Sequence, residues 1–121
     1  MKILTIIFMS IVLLFPANMA AAAGVPANSY YGHYYSAKWE PVRQCIVWRE
    51  SRGNYRAENP TSSASGAYQF LLSTSNYVAR KMHRNDLIGK RAGSWSKKDQ
   101  DQAFWTLFNR GRGYGHWGGH C

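Results

Sequence analysis

Glu50 is the residue of this sequence best placed for acid–base chemistry. It follows a short apolar stretch, CIVW at residues 45–48, and Ser51, Arg52 and Gly53 come directly after it. Because a glycine commonly terminates a helix, we expect Glu50 to lie in the last turn of a packed helix, close to apolar side chains. Desolvation disfavours a carboxylate anion, so a carboxyl group in that position can stay protonated near neutral pH and act as a general acid.

An ordinary surface role for Glu50 is the alternative. Arg49, Arg52 and Arg56 all lie within six residues of it, and any of them could form an exposed ion pair with the carboxylate. The residue types alone favour this ion pair, so the choice depends on the surrounding pattern.

The segments around Glu50 predict how it is positioned. Glu40-Pro41 suits a helix start just after Trp39, where the folded domain should begin. Val42, Cys45, Ile46 and Arg49 would share one face of that helix. After Glu50 a polar loop, residues 54–65, leads to Gly-Ala-Tyr-Gln-Phe at 66–70. We expect the loop, which could hold a short hairpin, and the 66–70 segment to form one wall of a cleft beside Glu50.

Two further helices complete the prediction. Ser73 or Thr74 can cap a helix that runs to about Met82, with Tyr77 and Val78 facing inward. Ser96 followed by Asp99 is a capping box with Asp in place of Glu or Gln, and it opens a helix within 94–109. An apolar stripe on that helix comprises Ala103, Phe104, Leu107 and Phe108. Since no segment alternates like a strand, we predict a mainly α fold with at most a short β-hairpin beside the cleft.

The N-terminus has the pattern of an export signal. Lys2 precedes an apolar run of thirteen residues, and small residues follow at 20–23, so we expect a cleaved signal peptide over 1–23. The alternative is an uncleaved membrane anchor, but the run is shorter than the roughly twenty residues needed to span a bilayer. Residues 24–38 are then a Tyr- and Gly-rich leader that packs loosely, and 39–121 form the folded domain.

The charge indicates an anionic partner. Without Lys2 the chain has 14 Lys and Arg residues against six Asp and Glu residues, a formal charge of +8. An exported basic protein could meet nucleic acid, acidic lipid or an anionic wall polymer, and export makes nucleic acid the weakest of these three candidates. The alternative is a soluble basic surface with no specific partner.

Cys45 and Cys121 are the two cysteines of the sequence. An even count in an exported chain favours a disulfide, which would fix a Gly-rich tail; the alternative is two free thiols. His116 and His120 have a metal-like spacing, but no acidic third ligand is near, so we predict no metal site.

The combined motifs resemble those of lysozyme-like lytic transglycosylases, and the chain is most similar to the transglycosylase-like domain of resuscitation-promoting factors. The resemblance covers roughly 39–121. Its parts are Glu50-Ser51 with Tyr55, the Gly-x-x-Gln segment ending at Gln69, Ser73-Thr74, the Ser-x-x-x-Gln start at 96–100, and the tail 113–117 before Cys121. Arg52, the loop 57–65 and the His- and Gly-rich tail depart from the family pattern, which leaves substrate detail open.

The resemblance implies an α+β lysozyme-like fold, secretion to the cell wall or periplasm, and cleavage of the bond between N-acetylmuramic acid and N-acetylglucosamine in peptidoglycan. It makes Glu50 the general acid and base. The residues it implies for substrate binding are Ser51, Tyr68, Gln69, Thr74 and Gln100. The chemistry needs no cofactor, and we expect a monomer with no nucleic-acid partner and no stable membrane insertion after signal cleavage.

A count of acids favours transglycosylation over hydrolysis. A hydrolase normally uses a second carboxylate. Glu40 would be about 15 Å away along the same helix, Asp99 and Asp101 suit the start of the last helix, and Asp86 suits a surface ion pair. Glu58 alone could reach across the cleft. The alternatives are a hydrolysing muramidase that uses Glu58 and a non-catalytic cationic wall-binding protein.

Overall fold

Three α-helices joined by turns make up residues 24–121, the part of the chain that the computed structural model describes. They are α1 (Glu40–Ser51), α2 (Leu72–Lys81) and α3 (Lys97–Phe108). Pairing between extended segments within 24–121 is limited to isolated bridges, so the expected mainly α fold class is confirmed. No helix in this range is both long and apolar enough to cross a bilayer. The expected signal peptide, 1–23, lies outside the described residues.

Helix α1 begins at Glu40, as predicted, with Pro41 in its first turn. It ends at Ser51, after which Arg52 and Gly53 both take left-handed backbone angles, with φ of 54° and 82°. Its buried face differs from the expected one: Arg43 is buried with Ile46 and Val47. Apolar periodicity could not reveal this face, because an arginine is normally assigned to the surface.

Helix α2 starts without a side-chain cap. Neither Ser73 nor Thr74 occupies the cap position; instead the Leu72 amide donates to Ser63 Oγ at 3.0 Å. Tyr77, expected to face inward, is half exposed, since the buried residues of this helix are Ser75, Val78 and Ala79. That spacing places one narrow face of α2 against α3.

Helix α3 is the central helix of the described residues. Ser96 Oγ accepts from the Asp99 amide at 3.1 Å, which confirms the predicted cap. The Asp99 carboxylate accepts from Arg84 at 2.8 and 3.2 Å. Every residue from 103 to 108 is buried, and the ring of Phe104 stacks on Tyr68 with centroids 4.7 Å apart. A helix that is buried on all sides must be covered by other segments.

Residues 24–38 cover the second face of α3, so the expected loose packing is wrong. Trp105 Nε1 donates to Asn28 Oδ1 at 2.9 Å, and Asn28 and Tyr30 are both buried. The Ser29 amide and hydroxyl each donate to Asp101 at 2.8 Å. These are single hydrogen bonds from an irregular segment, and irregular segments leave no periodic pattern in a sequence.

Arg43 and Asp101 anchor a buried polar network between α1 and α3, and both side chains are fully buried. Arg43 donates to Glu40 at 2.7 Å and to the Tyr68 hydroxyl at 3.1 Å. Asp101 accepts from the Tyr55 and Tyr68 hydroxyls, the latter at 2.6 Å. We expected Asp101 only to complement the dipole of α3; it serves instead as the shared acceptor of this network.

The Cys45–Cys121 disulfide is confirmed, with Cα atoms 5.8 Å apart. It ties the middle of α1 to the last residue of the sequence, across a separation of 76 residues.

Replacing both cysteines by serine should lower the free energy of unfolding by about 4 kcal/mol, because the bridge closes a long loop in the unfolded chain. Chemical denaturation of the oxidised parent, the reduced parent and the double variant measures this. The reduced parent should match the double variant, and the double variant should not respond to reductant. An oxidised parent no more stable than the reduced one would contradict the expectation.

Candidate active site

An open cleft of about 180 Å³ lies beside the end of α1. Its lining comes from the end of α1, the 66–70 segment, the start of α2, the end of α3 and the tail. The lining residues are Glu50, Tyr68, Gln69, Phe70, Leu71, Thr74, Leu107, His116 and Trp117.

Glu50 is the only carboxylate among these lining residues. Its side chain is exposed, yet the cleft walls remove enough water to raise the pKa of its carboxyl group above the ordinary value, while the charge of Arg49 acts in the opposite direction. Within residues 24–121 no cation forms an ion pair with it. A carboxyl group in this state can donate a proton to a ligand in the cleft.

The three neighbouring arginines make other contacts. Arg49 lies 3.8 Å from the Cys121 sulfur, Arg52 stacks on the Trp48 ring at 4.7 Å, and Arg56 donates to the Gly93 carbonyl at 3.1 Å. The surface ion pair that residue types favoured is therefore not formed in the described residues.

The other five acids of the sequence have partners away from the cleft. Glu58, the one candidate for a second catalytic carboxylate, is exposed and pairs with Arg91 at 3.0 Å. Asp86 and Asp99 both pair with Arg84. Glu40 and Asp101 belong to the buried network around Arg43. The structure thus brings one acid to the cleft.

The segment 66–70 forms one wall of the cleft, as expected. Gln69 takes a left-handed φ of 52°, a strained conformation for a non-glycine residue, and its Nε2 donates to the Gly66 carbonyl at 3.0 Å. Gly66 has φ +81°, and a Cβ there would lie 2.4 Å from Gln100 Oε1. Glycine is thus required at this turn. Residues 54–65 are absent from the cleft lining, which corrects the expectation that the polar loop shares this wall.

Two of the expected substrate-binding residues support the wall from behind. Gln100 is buried and uses its whole amide: Oε1 accepts from the Ala67 amide, and Nε2 donates to the Tyr55 and Trp95 carbonyls, all within 3.1 Å. Ser51 Oγ lies 2.8 Å from the Ala67 carbonyl and 3.1 Å from that of Val47. Neither residue lines the cleft, so both hold the segment in place.

Tyr68, Gln69 and Thr74 do line the cleft. Tyr68 presents its ring only, because its hydroxyl is held by Arg43 and Asp101 inside the network. Gln69 and Thr74 are half-buried. Together with Glu50 and His116 they supply the polar side chains of the lining.

A further part of the cleft lining was not predicted from the sequence. It consists of Leu107 and the tail residues His116 and Trp117. Trp117 is buried, and its Nε1 donates to the Tyr68 carbonyl at 3.1 Å. The tail motif at 113–117 was part of the family resemblance, and the placement of Cys121 beside α1 could have indicated that this tail returns to Glu50.

Replacing Glu50 by glutamine should make stability less dependent on pH. The pKa of Glu50 is raised above 4.5 in the folded state, which means that the fold favours the protonated carboxyl group. The free energy of unfolding of the parent is therefore highest when Glu50 is protonated, below its unfolded pKa, and falls as pH rises through the folded pKa. The variant should therefore gain stability relative to the parent as pH rises through the pKa of the Glu50 carboxyl group in the folded state. Thermal unfolding of both proteins at each pH measures the difference. A constant difference would mean that the pKa is not raised.

The fold and cleft define a small, mainly helical domain with one carboxyl group in the lining of its cleft. Over 101 residues the chain is 44% identical to proteins named "Probable transglycosylase SceD" from Staphylococcus aureus strains Newman, USA300 and MRSA252. This is 84% of the chain but 42% of each relative, so the chain spans less than half the length of the curated relatives it matches. The relatives support the resemblance to lytic transglycosylases. No family model and no solved structure matches the chain.

Proposed function

We propose that this protein is a secreted peptidoglycan-cleaving enzyme, a lytic transglycosylase that acts on the bond between N-acetylmuramic acid and N-acetylglucosamine. The observation that carries the proposal is the isolation of Glu50, one carboxyl group with a raised pKa in a cleft that holds no other acid. The relatives' printed name agrees with this reaction class.

The proposed reaction needs one group that first gives and then takes a proton. The Glu50 carboxyl protonates the bridging oxygen, and the bond from that oxygen to C1 of the muramic acid breaks. The C6 hydroxyl oxygen of the same sugar then bonds to C1, and the Glu50 carboxylate accepts the proton that this hydroxyl loses. Glu50 ends protonated, and the product carries a 1,6-anhydro ring without consumption of water.

Hydrolysis normally uses a second carboxylate about 5 Å away as a nucleophile, or about 6.5–9.5 Å away as a base for water. Glu58 was the candidate, and its ion pair with Arg91 lies outside the cleft lining. This arrangement favours the intramolecular route over a hydrolysing muramidase.

The remaining parts of the proposal concern where the enzyme works. A charge of +8 on residues 24–121 favours adsorption to an anionic wall through many weak contacts that salt would screen. We propose that the enzyme acts as a monomer outside the cytoplasm, at the cell wall or in the periplasm, without a cofactor, without a nucleic-acid partner and without stable membrane insertion.

Mass spectrometry of muropeptides, released from purified wall in water enriched in ¹⁸O, tests the proposal. A transglycosylase should release 1,6-anhydro ends that contain no ¹⁸O. Reducing ends labelled with ¹⁸O would identify a hydrolase. Binding to the wall with no released product would identify a non-catalytic wall-binding protein.

A further inference from the structure

A second recess, of about 300 Å³, adjoins the cleft. Lys81 and Tyr77, one turn apart on α2, form one side of it, and Arg112 lies in the turn after α3. Leu107 and His116 line both the recess and the Glu50 cleft. The two depressions therefore share a border. We call this second depression the basic recess.

The charges of the basic recess are not neutralised within the described residues. Its lining contains Lys81 and Arg112 and no carboxylate. Neither cation forms an ion pair there, although all six acids of the sequence lie in this part of the chain. Lys81 is held over the ring of half-exposed Tyr77, with Nζ 5.2 Å from its centroid. Two cations in a concave site attract an anion more effectively than the same cations on a flat surface.

The position of the two cations also has a structural explanation. Lys81 is the last residue of α2, and Arg112 follows the end of α3, where cations compensate the partial negative charge of helix carbonyl ends. Charge compensation alone does not require a recess, nor a shared border with the cleft. The experiment must therefore separate a stabilising role from a binding role.

We propose that the basic recess binds the carboxylate groups of the peptide stem carried by the muramic acid at the cleft. This inference rests on the proposed function and adds a substrate preference to it. The stem is attached to the sugar whose bond Glu50 would cleave, and His116, which lines both depressions, marks the route by which an anionic chain would pass from the cleft to Lys81 and Arg112. The enzyme should thus prefer glycan that still carries its stems.

The test compares two substrates, stem-bearing glycan and the same glycan after an amidase has removed the stems. Stripping leaves the lactyl carboxylate on the sugar, so the comparison isolates the stem. The recess variant is Lys81→Gln with Arg112→Gln. The matched control is Lys90→Gln with Lys98→Gln, which removes two positive charges from exposed residues outside the recess lining.

The parent should have a kcat/KM about tenfold higher on stem-bearing glycan, the effect of one charge-assisted hydrogen bond. The recess variant should lose this preference and keep the parent's rate on stripped glycan, and the control should behave like the parent. Thermal unfolding of all three proteins reports any stabilising role separately. Equal slowing of the recess variant on both substrates, or no preference in the parent, would overturn the inference.

If the parent cleaves neither substrate, the proposed function fails and the basic recess is judged by binding. The probe is then the free stem peptide, titrated into the full chain and followed by NMR shifts. Tighter binding by the parent than by the recess variant would support the recess as a stem site, whereas equal or absent binding would overturn it.

Discussion

Replacing Glu50 by glutamine should slow glycan cleavage at least about a hundredfold, the usual contribution of a general acid. Glutamine has nearly the same shape but cannot supply the proton that the leaving oxygen needs. Glu50 forms no ion pair or side-chain hydrogen bond within residues 24–121, so the variant should remain folded. The measurement is the rate of muropeptide release from purified wall, with circular dichroism to verify the fold.

Glu58→Gln is the matched control for this prediction. It makes the same chemical change in an exposed carboxylate that pairs with Arg91 outside the cleft, and it should keep the parent's rate. A Glu50→Gln protein that cleaves wall as fast as the parent would show that Glu50 is not the general acid, whereas a parent that releases no product would be a binder. Comparable losses in the two variants would support hydrolysis with Glu58 as the second carboxylate.

Replacing Asp101 by asparagine should lower the free energy of unfolding by about 3 kcal/mol, because one partner of a buried charged network is removed. One Asp101 oxygen accepts from Tyr55 and Tyr68, and the other accepts twice from Ser29. An asparagine amide group would have to face one of these sets of donors. At least one buried donor would then lose its acceptor.

Asp86→Asn is the control for the Asp101 prediction. Asp86 is an exposed carboxylate that pairs with Arg84, and its replacement should change stability little. Chemical denaturation midpoints and slopes for both variants provide the comparison. Equal stability losses would mean that the Asp101 charge contributes no more to the fold than a surface charge.

The sequence predicted those parts of the fold that follow from local rules. The start of α1 at Glu40-Pro41 and the Ser96 cap of α3 depend on preferences that act within one helical turn. The buried Arg43 and Asp101 could not be found in the same way. Their burial depends on Tyr55, Tyr68 and Ser29, which are distant in sequence, and a charged residue is interior only when such partners converge on it.

In the candidate site, too, the features that depend on local sequence patterns were predicted, and those that depend on distant contacts were not. Glu50 and the 66–70 segment were predicted because a helix end and a turn rich in small residues are local patterns, strengthened by the family resemblance. Ser51 and Gln100 were expected to contact substrate, but their polar atoms are occupied by backbone groups. A motif records which residues recur together and does not distinguish those that contact a ligand from those that hold a neighbouring segment.

The disulfide makes the covalent connection between two parts of the cleft depend on the redox state of the surroundings. Cys45 belongs to the helix that carries Glu50, and Cys121 ends the tail that carries Trp117 and His116. The bridge is thus a single covalent link between the helix that carries Glu50 and the wall formed by the tail. In the reducing cytosol, where such bonds rarely persist, that wall would be held by noncovalent contacts such as those of Trp117. Under the proposed secretion, the covalent link would form only after export, and oxidation would then be the last step in completing the proposed enzyme.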